Sequence, residues 1–338
     1  MSFLAFDIGG ANLKVADGLG YAASRRLPMW KSPDLRGELR TMIANAPEAT
    51  RLAITMTAEL ADCFESKSEG VCSVLDAVEA AADGRPVRIY RNDGKLVAPG
   101  VIRAKPLSAA AMNWHALARF AARWSDEDYH SLLIDVGSST CDVIWLHDPA
   151  EFPLGQGDSQ RLLAGELVYV GVERTPVCSL VSELPFRGSS CPIARELFAT
   201  TRDVSLLLGQ ILEDPGNTDT ADGRPSTKSA ARRRMSRMVC ADDDEFNHRD
   251  AVAMAQAVYD AQVTLLADGL RQVSEHHDGP PRRVIFSGHG ELLARAAVER
   301  CGWDVETMSL AAYIGGPMVS RCAPAHALAV LAREAMQA

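Results

Sequence analysis

No apolar run in the 338-residue sequence approaches the roughly 18 residues needed to span a bilayer, so no membrane segment is expected. A basic excess is missing too. Lysine plus arginine number 35 against 44 aspartate plus glutamate, a net charge of −9, which excludes the strongly basic footprint of a nucleic-acid binder. The first seven residues lack a basic n-region and reach Asp7 too early for a secretory signal, so a cytoplasmic location is expected. The eight cysteines, at 63, 72, 141, 178, 191, 240, 301 and 322, form no C-x-x-C pair. No His-x-x-x-His pair accompanies them, so a structural zinc is not expected, and the cysteines read as small core side chains. The partners expected are small molecules, with the oligomeric state left open and a homodimer as one option.

The length suggests two domains. Strands are predicted at 3–8, 13–15, 52–56, 87–90, 101–104, 132–136, 142–146 and 284–286. Helices are predicted over 33–45, 73–82, 108–124, 246–275, 291–300 and 324–336, with Ser108 as an N-cap. Gly/Pro-rich or polar stretches at 148–158, 185–192 and 213–227 read as loops, and the acidic patch 125–128 closes the first region. Strands alternating with helices indicate an α/β architecture.

One pattern occurs twice. Asp7-Ile8-Gly9-Gly10-Ala11-Asn12-Leu13-Lys14-Val15 aligns with Asp135-Val136-Gly137-Ser138-Ser139-Thr140-Cys141-Asp142-Val143. In each, an apolar strand ends in aspartate, and a glycine, small residues and a polar residue follow before a returning strand. Glycine leaves no side chain in the way of an incoming group, and small neighbours let backbone N–H groups converge on an anion. An aspartate at each strand end makes sense beside a phosphate if it holds Mg²⁺, directly or through water. A single such turn is ordinary hairpin chemistry, with the aspartate only capping the turn. Two, each opening a region, suggest a clamp on a polyphosphate–metal unit. A third stretch, Val284-Ile285-Phe286-Ser287-Gly288-His289-Gly290-Glu291, runs a buried strand into a glycine-flanked turn.

This order resembles the acetate and sugar kinase/Hsc70/actin superfamily. The resemblance implies two ribonuclease-H-like, actin-like ATPase lobes around a central cleft. It places the first lobe at 1–128, joined by a C-terminal helix at 323–338, and the second at 129–322. Asp7, Gly9, Gly10, Asn12 and Lys14 then correspond to a first phosphate motif. Asp135, Gly137, Ser138, Ser139 and Thr140 correspond to a second, and Gly288, Gly290 and Glu291 to an adenosine-side motif. The superfamily includes ATP-dependent small-molecule kinases, and an assembly subunit that binds nucleotide without turnover is a further alternative.

More particular strings are Ile54 to Leu60, Gly165 to Val177, Asp219-Thr220-Ala221-Asp222-Gly223-Arg224-Pro225 and Ala231 to Asp242. With the paired turns they resemble the hydantoinase/oxoprolinase-like proteins of tetrahydromethanopterin-linked one-carbon metabolism. That group is similar to the methanofuran-biosynthesis enzyme that joins an aminomethylfuran diphosphate to a tyramine- or tyrosine-type phenol. The resemblance implies a Mg²⁺-dependent transferase in which a phenol oxygen attacks the furan CH₂ and pyrophosphate leaves, with any use of ATP left open. Asp7 and Asp135 would organise the metal. Lys14, one of six lysines beside 29 arginines, would neutralise a phosphate or merely be solvated. Glu59 would accept the phenol proton or hold an amine, or else sit at a helix N-terminus. Arg174 and Arg224 would bind diphosphate or a carboxylate, or form surface ion pairs. Tyr169 would stack on a ring or fill the core. His289 takes no chemical role, and Arg232, Arg233, Arg234 and Arg237 read as a solvated helix face.

Overall fold

The two apolar runs that end in Asp7 and Asp135 become the central strands of two sheets. The computed structural model describes residues 2–125, 130–146, 155–277 and 279–337. Its first half contains β1 (Phe3–Ile8), β2 (Asn12–Ala16), β3 (Ala22–Arg26), α1 (Leu35–Asn45), β4 (Arg51–Met56) and α2 (Lys67–Ala81). There follow β5 (Val87–Tyr90), β6 (Leu96–Val97), α3 (Pro99–Ala104) and α4 (Asn113–Ala121). The second half opens with β7 (Ser131–Val136), β8 (Cys141–Leu146), α5 (Asp158–Ala164), β9 (Leu167–Val168) and α6 (Val177–Leu180). It continues through β10 (Glu183–Phe186), β11 (Ser189–Pro192), α7 (Thr201–Leu207), α8 (Lys228–Met238) and α9 (His248–Glu275). It closes with β12 (Arg283–Gly288), α10 (Glu291–Cys301), β13 (Glu306–Ser309), α11 (Ala311–Ile314), α12 (Pro317–Arg321) and α13 (Ala323–Glu334).

The first sheet runs β3-β2-β1-β4-β5-β6 and the second β13-β12-β7-β8-β9. In each, the central strand is antiparallel to the strand after it (β2, β8) and parallel to the one on its other side (β4, β12). Both sheets therefore share one order, and the molecule is an α/β protein of two ribonuclease-H-like lobes. β1 and β7 are buried at every position, as expected of strands covered on both faces, which read as near-continuous apolar runs. β3 lies at an edge and ends in Arg25 and Arg26, charges that discourage further pairing.

α4 and α13 fill the space between the sheets. Their Leu117, Phe120 and Leu328 join Phe3 and Ala53 of the first sheet to Leu133 and Ile285 of the second in one core. Fully burying each such side chain is worth about 1.5–3 kcal/mol. α1 and α2 cover the outer face of the first sheet, and α9 and α10 that of the second. A further core unites the β10–β11 hairpin, α7, α8 and the first half of α9. α9 has 28 residues because Asn247 and Asp250 form a capping box at its start and its buried Met254, Val258, Leu266 and Leu270 keep helical spacing. No helix among the described residues is long and apolar enough to cross a membrane.

Several expectations from sequence need correction. The β-branched pair Val101-Ile102 suggests a strand, but Pro99 sits in the first turn of a helix there. The helix expected over 108–124 is broken, because Ala111 takes φ 52° and α4 starts only at Asn113. The 185–192 loop is a hairpin turned by Arg187 and Gly188, both at positive φ, as a tight two-residue turn requires. α2 starts six residues earlier than expected, where the Ser66 hydroxyl accepts from the Glu69 N–H. The cysteines are free, but only Cys141 and Cys322 are buried, while Cys63 and Cys240 are exposed. The acidic patch beyond Ser125, the 128/129 boundary and most of the 148–158 loop lie outside the described residues.

Candidate active site

The sheet order brings the ends of β1 and β7 to the two sides of one cleft of about 580 Å³, lined by Asp7, Gly9, Gly10, Asn12 and Lys14 and by Asp135 and 137–140. That volume suits a small-molecule ligand. Both turns close in the same way. The Gly9 N–H donates to the Asn12 carbonyl at 3.0 Å, and the Gly137 N–H to the Thr140 carbonyl at 2.9 Å. A Cβ at Gly9 would come within 2.9 Å of that Asn12 oxygen, which explains the glycine. The two turns also touch, since Asn12 Nδ2 donates to Ser138 Oγ at 3.1 Å.

The floor of the cleft is crowded with charge. Lys14 stands opposite Asp7 in the β1–β2 ladder, with Nζ 3.7 Å from Oδ2. The equivalent residue opposite Asp135 is Asp142, whose carboxylate is paired at 2.9 Å with Arg161 of α5. Arg161 is only 1% exposed and lies over the Trp114 ring, 4.2 Å from its centroid. Burial raises the pKa of Asp7, against the opposing pull of Lys14. Burial likewise pushes Asp135 up to about 6, although Lys14 again opposes it. Burial alone would lower Lys14, but Asp7 and Asp135 together hold it above its ordinary value. Oδ1 of Asp7 and Oδ1 of Asp135 are buried without a hydrogen-bond partner.

The second turn is held from outside by residues 171–174 of the Gly165 to Val177 string. A Cβ at Gly171 would fall 2.4 Å from the Ser138 carbonyl and the Ser139 nitrogen, so only glycine fits. The Glu173 and Arg174 N–H groups donate to the Ser138 carbonyl at 3.1 and 3.0 Å. The Gly171 carbonyl in turn accepts from Thr201 Oγ1 and Gln262 Nε2 at 2.8 and 3.1 Å. Glu173 is buried among Arg202, Arg321 and His289 at 2.7, 3.2 and 3.4 Å. Burial would raise its pKa, but these partners hold it at about 2. Of the two glycines in the Gly165 to Val177 string, Gly171 thus serves close packing on the turn, while Gly165 caps α5 at positive φ.

The mouth of the cleft is aromatic and apolar, with Trp30 and Tyr169 beside Leu60 and Leu162, and Trp114 lies buried deeper in the wall. Tyr169 is 58% exposed rather than a core residue. Arg174 lies over Trp30 at 4.2 Å from the ring centroid. Further contacts between the lobes ring the opening. Lys67 pairs with Asp158 at 3.0 Å, and Arg26 of β3 pairs with Asp219.

Four of the expected positions, Arg224, Gly288, Gly290 and Glu59, are not in the lining of the cleft. Arg224 lines a separate surface pocket with Arg233 and Arg237. Its neighbour Asp222 instead anchors the Asp219 to Pro225 string by pairing at 3.0 Å with Arg234, which is fully buried and also pairs with Asp203. Arg234 is therefore no solvated residue. Gly288 and Gly290 do not line the cleft: a Cβ on either would come 2.2 Å from Val136, so close packing on β7 accounts for both. Glu59 sits just behind the wall, 1% exposed, with both oxygens sealed and without hydrogen-bond partners, and burial raises its pKa to about 7.

Comparison with known proteins adds an independent observation. The model of the hydantoinase/oxoprolinase family matches residues 51–335. The chain is 33% identical over 300 residues, 88% of each sequence, to (4-{4-[2-(gamma-L-glutamylamino)ethyl]phenoxymethyl}furan-2-yl)methanamine synthase of Methanocaldococcus jannaschii. It is 30% identical over 171 residues to the synthase of the same name from Methanococcus vannielii, covering 51% of this chain and 76% of that one. Among solved structures, ethanolamine utilization protein EutJ from Carboxydothermus hydrogenoformans is similar at a TM-score of 0.47 with 10% identity, covering 98% of this chain and 90% of that one.

Proposed function

The chain belongs to the hydantoinase/oxoprolinase family and shares that membership with methanofuran-biosynthesis synthases, and from this premise we propose that it is a Mg²⁺-dependent, ether-forming transferase. Its substrates would be an aminomethylfuran diphosphate and a tyramine- or tyrosine-type phenol. The relatives' name describes a furan joined to a phenol through a phenoxymethyl link. Forming such a link requires a bond from the phenol oxygen to the furan CH₂. The bond from that carbon to the diphosphate breaks, pyrophosphate leaves with the electron pair, and the phenol gives up a proton.

The observation that carries this reading is the convergence of the two turns on one cleft, joined by Asn12 and Ser138 and flanked by the unpartnered oxygens of Asp7 and Asp135. Two buried carboxylates suit Mg²⁺, which favours one or two protein carboxylates, with phosphate oxygens and water completing its shell. When bound, the metal would offset charge growing on the leaving diphosphate. Lys14 and the N–H groups of Gly10, Ser138, Ser139 and Thr140 would bind diphosphate oxygens from both lobes, fixing the leaving group before reaction. Gly9 and Gly137 close the turns, their own N–H groups being used in doing so. Trp30 and Tyr169 line the opening, where the furan and phenol rings would stack while water is excluded. Glu59, with a pKa near 7, suits a proton acceptor. Its sealed oxygens mean that the 57–61 turn must shift before it meets the phenol.

The test is to incubate the protein and Mg²⁺ with an aminomethylfuran diphosphate and a panel of phenols while following pyrophosphate. Stoichiometric pyrophosphate and aryl ether are expected. ATP-dependent formation of ADP and a phosphoester would select the kinase reading instead. Nucleotide binding with no turnover of any substrate would select the assembly-subunit reading.

A further inference from the structure

Three cations line the cleft: Lys14, Arg161 and Arg174. Lys14 is paired with Asp7 and Arg161 with Asp142. Arg174 is half-buried and, among the described residues, has no ion pair and no side-chain hydrogen bond. Asp219, the acidic group that acts on it most strongly, is already paired with Arg26, and Glu173 with Arg202 and Arg321. A guanidinium taken partly out of water is strongly favoured by a carboxylate or phosphate that matches its fork.

Its position is fixed from both lobes. The Arg174 N–H is tied to the Ser138 carbonyl at 3.0 Å, and its guanidinium lies over Trp30, which the first lobe supplies. Around it in the cleft stand Trp30, against whose ring it lies, and Tyr169. The charges acting most on Lys14 are those of Asp7 and Asp135. Arg174 therefore belongs to the aromatic end of the cleft and Lys14 to the diphosphate end.

Building on the ether-forming reading, and on the γ-glutamyl carboxylate that the relatives' name already places on the phenol, we propose that Arg174, laid over Trp30, is the residue that receives the acceptor's carboxylate. The side chain selects the acceptor without taking part in bond formation. An acceptor of the same phenol lacking the carboxylate leaves the guanidinium unpartnered and is discriminated against.

The test compares three acceptors that share one phenol: L-tyrosine and γ-glutamyltyramine, which bear a carboxylate, and tyramine, which does not. Wild-type protein should use at least one carboxylated acceptor with a kcat/KM about tenfold or more above tyramine. Arg174→Gln should erase that preference through the KM of the carboxylated acceptor, leaving tyramine and the KM of the furan diphosphate within about twofold. Arg174→Lys should retain part of it, and an unchanged melting temperature should show that both variants fold. Equal use of tyramine by wild type overturns the proposal, and so does a rise in the furan diphosphate KM, which would place the diphosphate on Arg174. Pyrophosphate from none of the phenols overturns the ether-forming reading instead. Arg174 is then judged by calorimetry with 3-(4-hydroxyphenyl)propionate and 4-ethylphenol. Tighter binding of the propionate, lost in Arg174→Gln, supports the carboxylate site, and equal binding by the two ligands refutes it.

Discussion

Across the ladder from the turn aspartate, the first lobe places Lys14, 3.7 Å from Asp7, whereas the second places another carboxylate, Asp142 beside Asp135. The first turn is neutralised within its own hairpin. The second depends on Arg161, which reaches in from α5 and lies on Trp114 of the opposite lobe. Three buried carboxylates thus meet two cations, leaving a floor one positive charge short. The two lobes keep the same turn backbone and divide its electrostatic work unequally; on the proposed reading the deficit would hold the metal and the turns the diphosphate.

The largest test of this contrast removes each turn carboxylate in turn. Asp7→Asn and Asp135→Asn should each lower pyrophosphate release by roughly 10³-fold without unfolding the protein, the scale of losing a main electrostatic contributor. A loss in only one variant would mean that the lobes do not share the ligand. Arg161→Gln strands Asp142 and should cost about 3–5 kcal/mol in denaturant unfolding. Adding Asp142→Asn should restore much of this, and failure to do so would refute the compensation described.

A smaller effect distinguishes the clasp on the second turn, which the first lobe lacks. Glu173 has a folded pKa of about 2 against an ordinary 4.5. Its contribution is therefore complete above pH 4.5 and is lost as pH falls toward 2. The whole is worth roughly 3 kcal/mol at 1.36 kcal/mol per unit. Acid unfolding profiles of wild type and Glu173→Gln should differ in slope across that window, and parallel profiles would count against the clasp. Smallest is Gly171→Ala, whose added methyl must displace the Ser138–Ser139 backbone at about 1–3 kcal/mol. The same methyl at Gly10, where nothing lies within 4 Å, should leave stability nearly unchanged.

The central strands and the paired turns were legible in the sequence because each rests on local pattern: a short apolar run, an aspartate, and a glycine two residues on. Tyr169 and Arg174 were also found, through the string that contains them. Arg161, Trp114 and Trp30 were not. Each acquires its role by meeting a residue of the other lobe, and no local spacing encodes such a meeting. Val101-Ile102 misled because β-branched residues favour strands, while Pro99 and packing favoured a helix turn. Gly288 and Gly290 looked like ligand-facing glycines, yet glycine is demanded equally by a close neighbour, and only coordinates tell these demands apart. The Asp219 to Pro225 string drew attention to Arg224, but its structural weight falls on Asp222, because its buried partner, Arg234, lies twelve residues downstream.

The ring of contacts at the cleft rim bears on how fast anything can leave it. Lys67–Asp158 and Arg26–Asp219 are partly exposed to solvent, with lysine and arginine side chains 37% and 40% accessible, so dissolved ions shield them over the Debye length of about 8–10 Å. The stacked pairs Arg161–Trp114 and Arg174–Trp30 are better protected. Raising ionic strength would thus loosen the rim while leaving the stacked pairs in place, and whatever the cleft holds would escape faster.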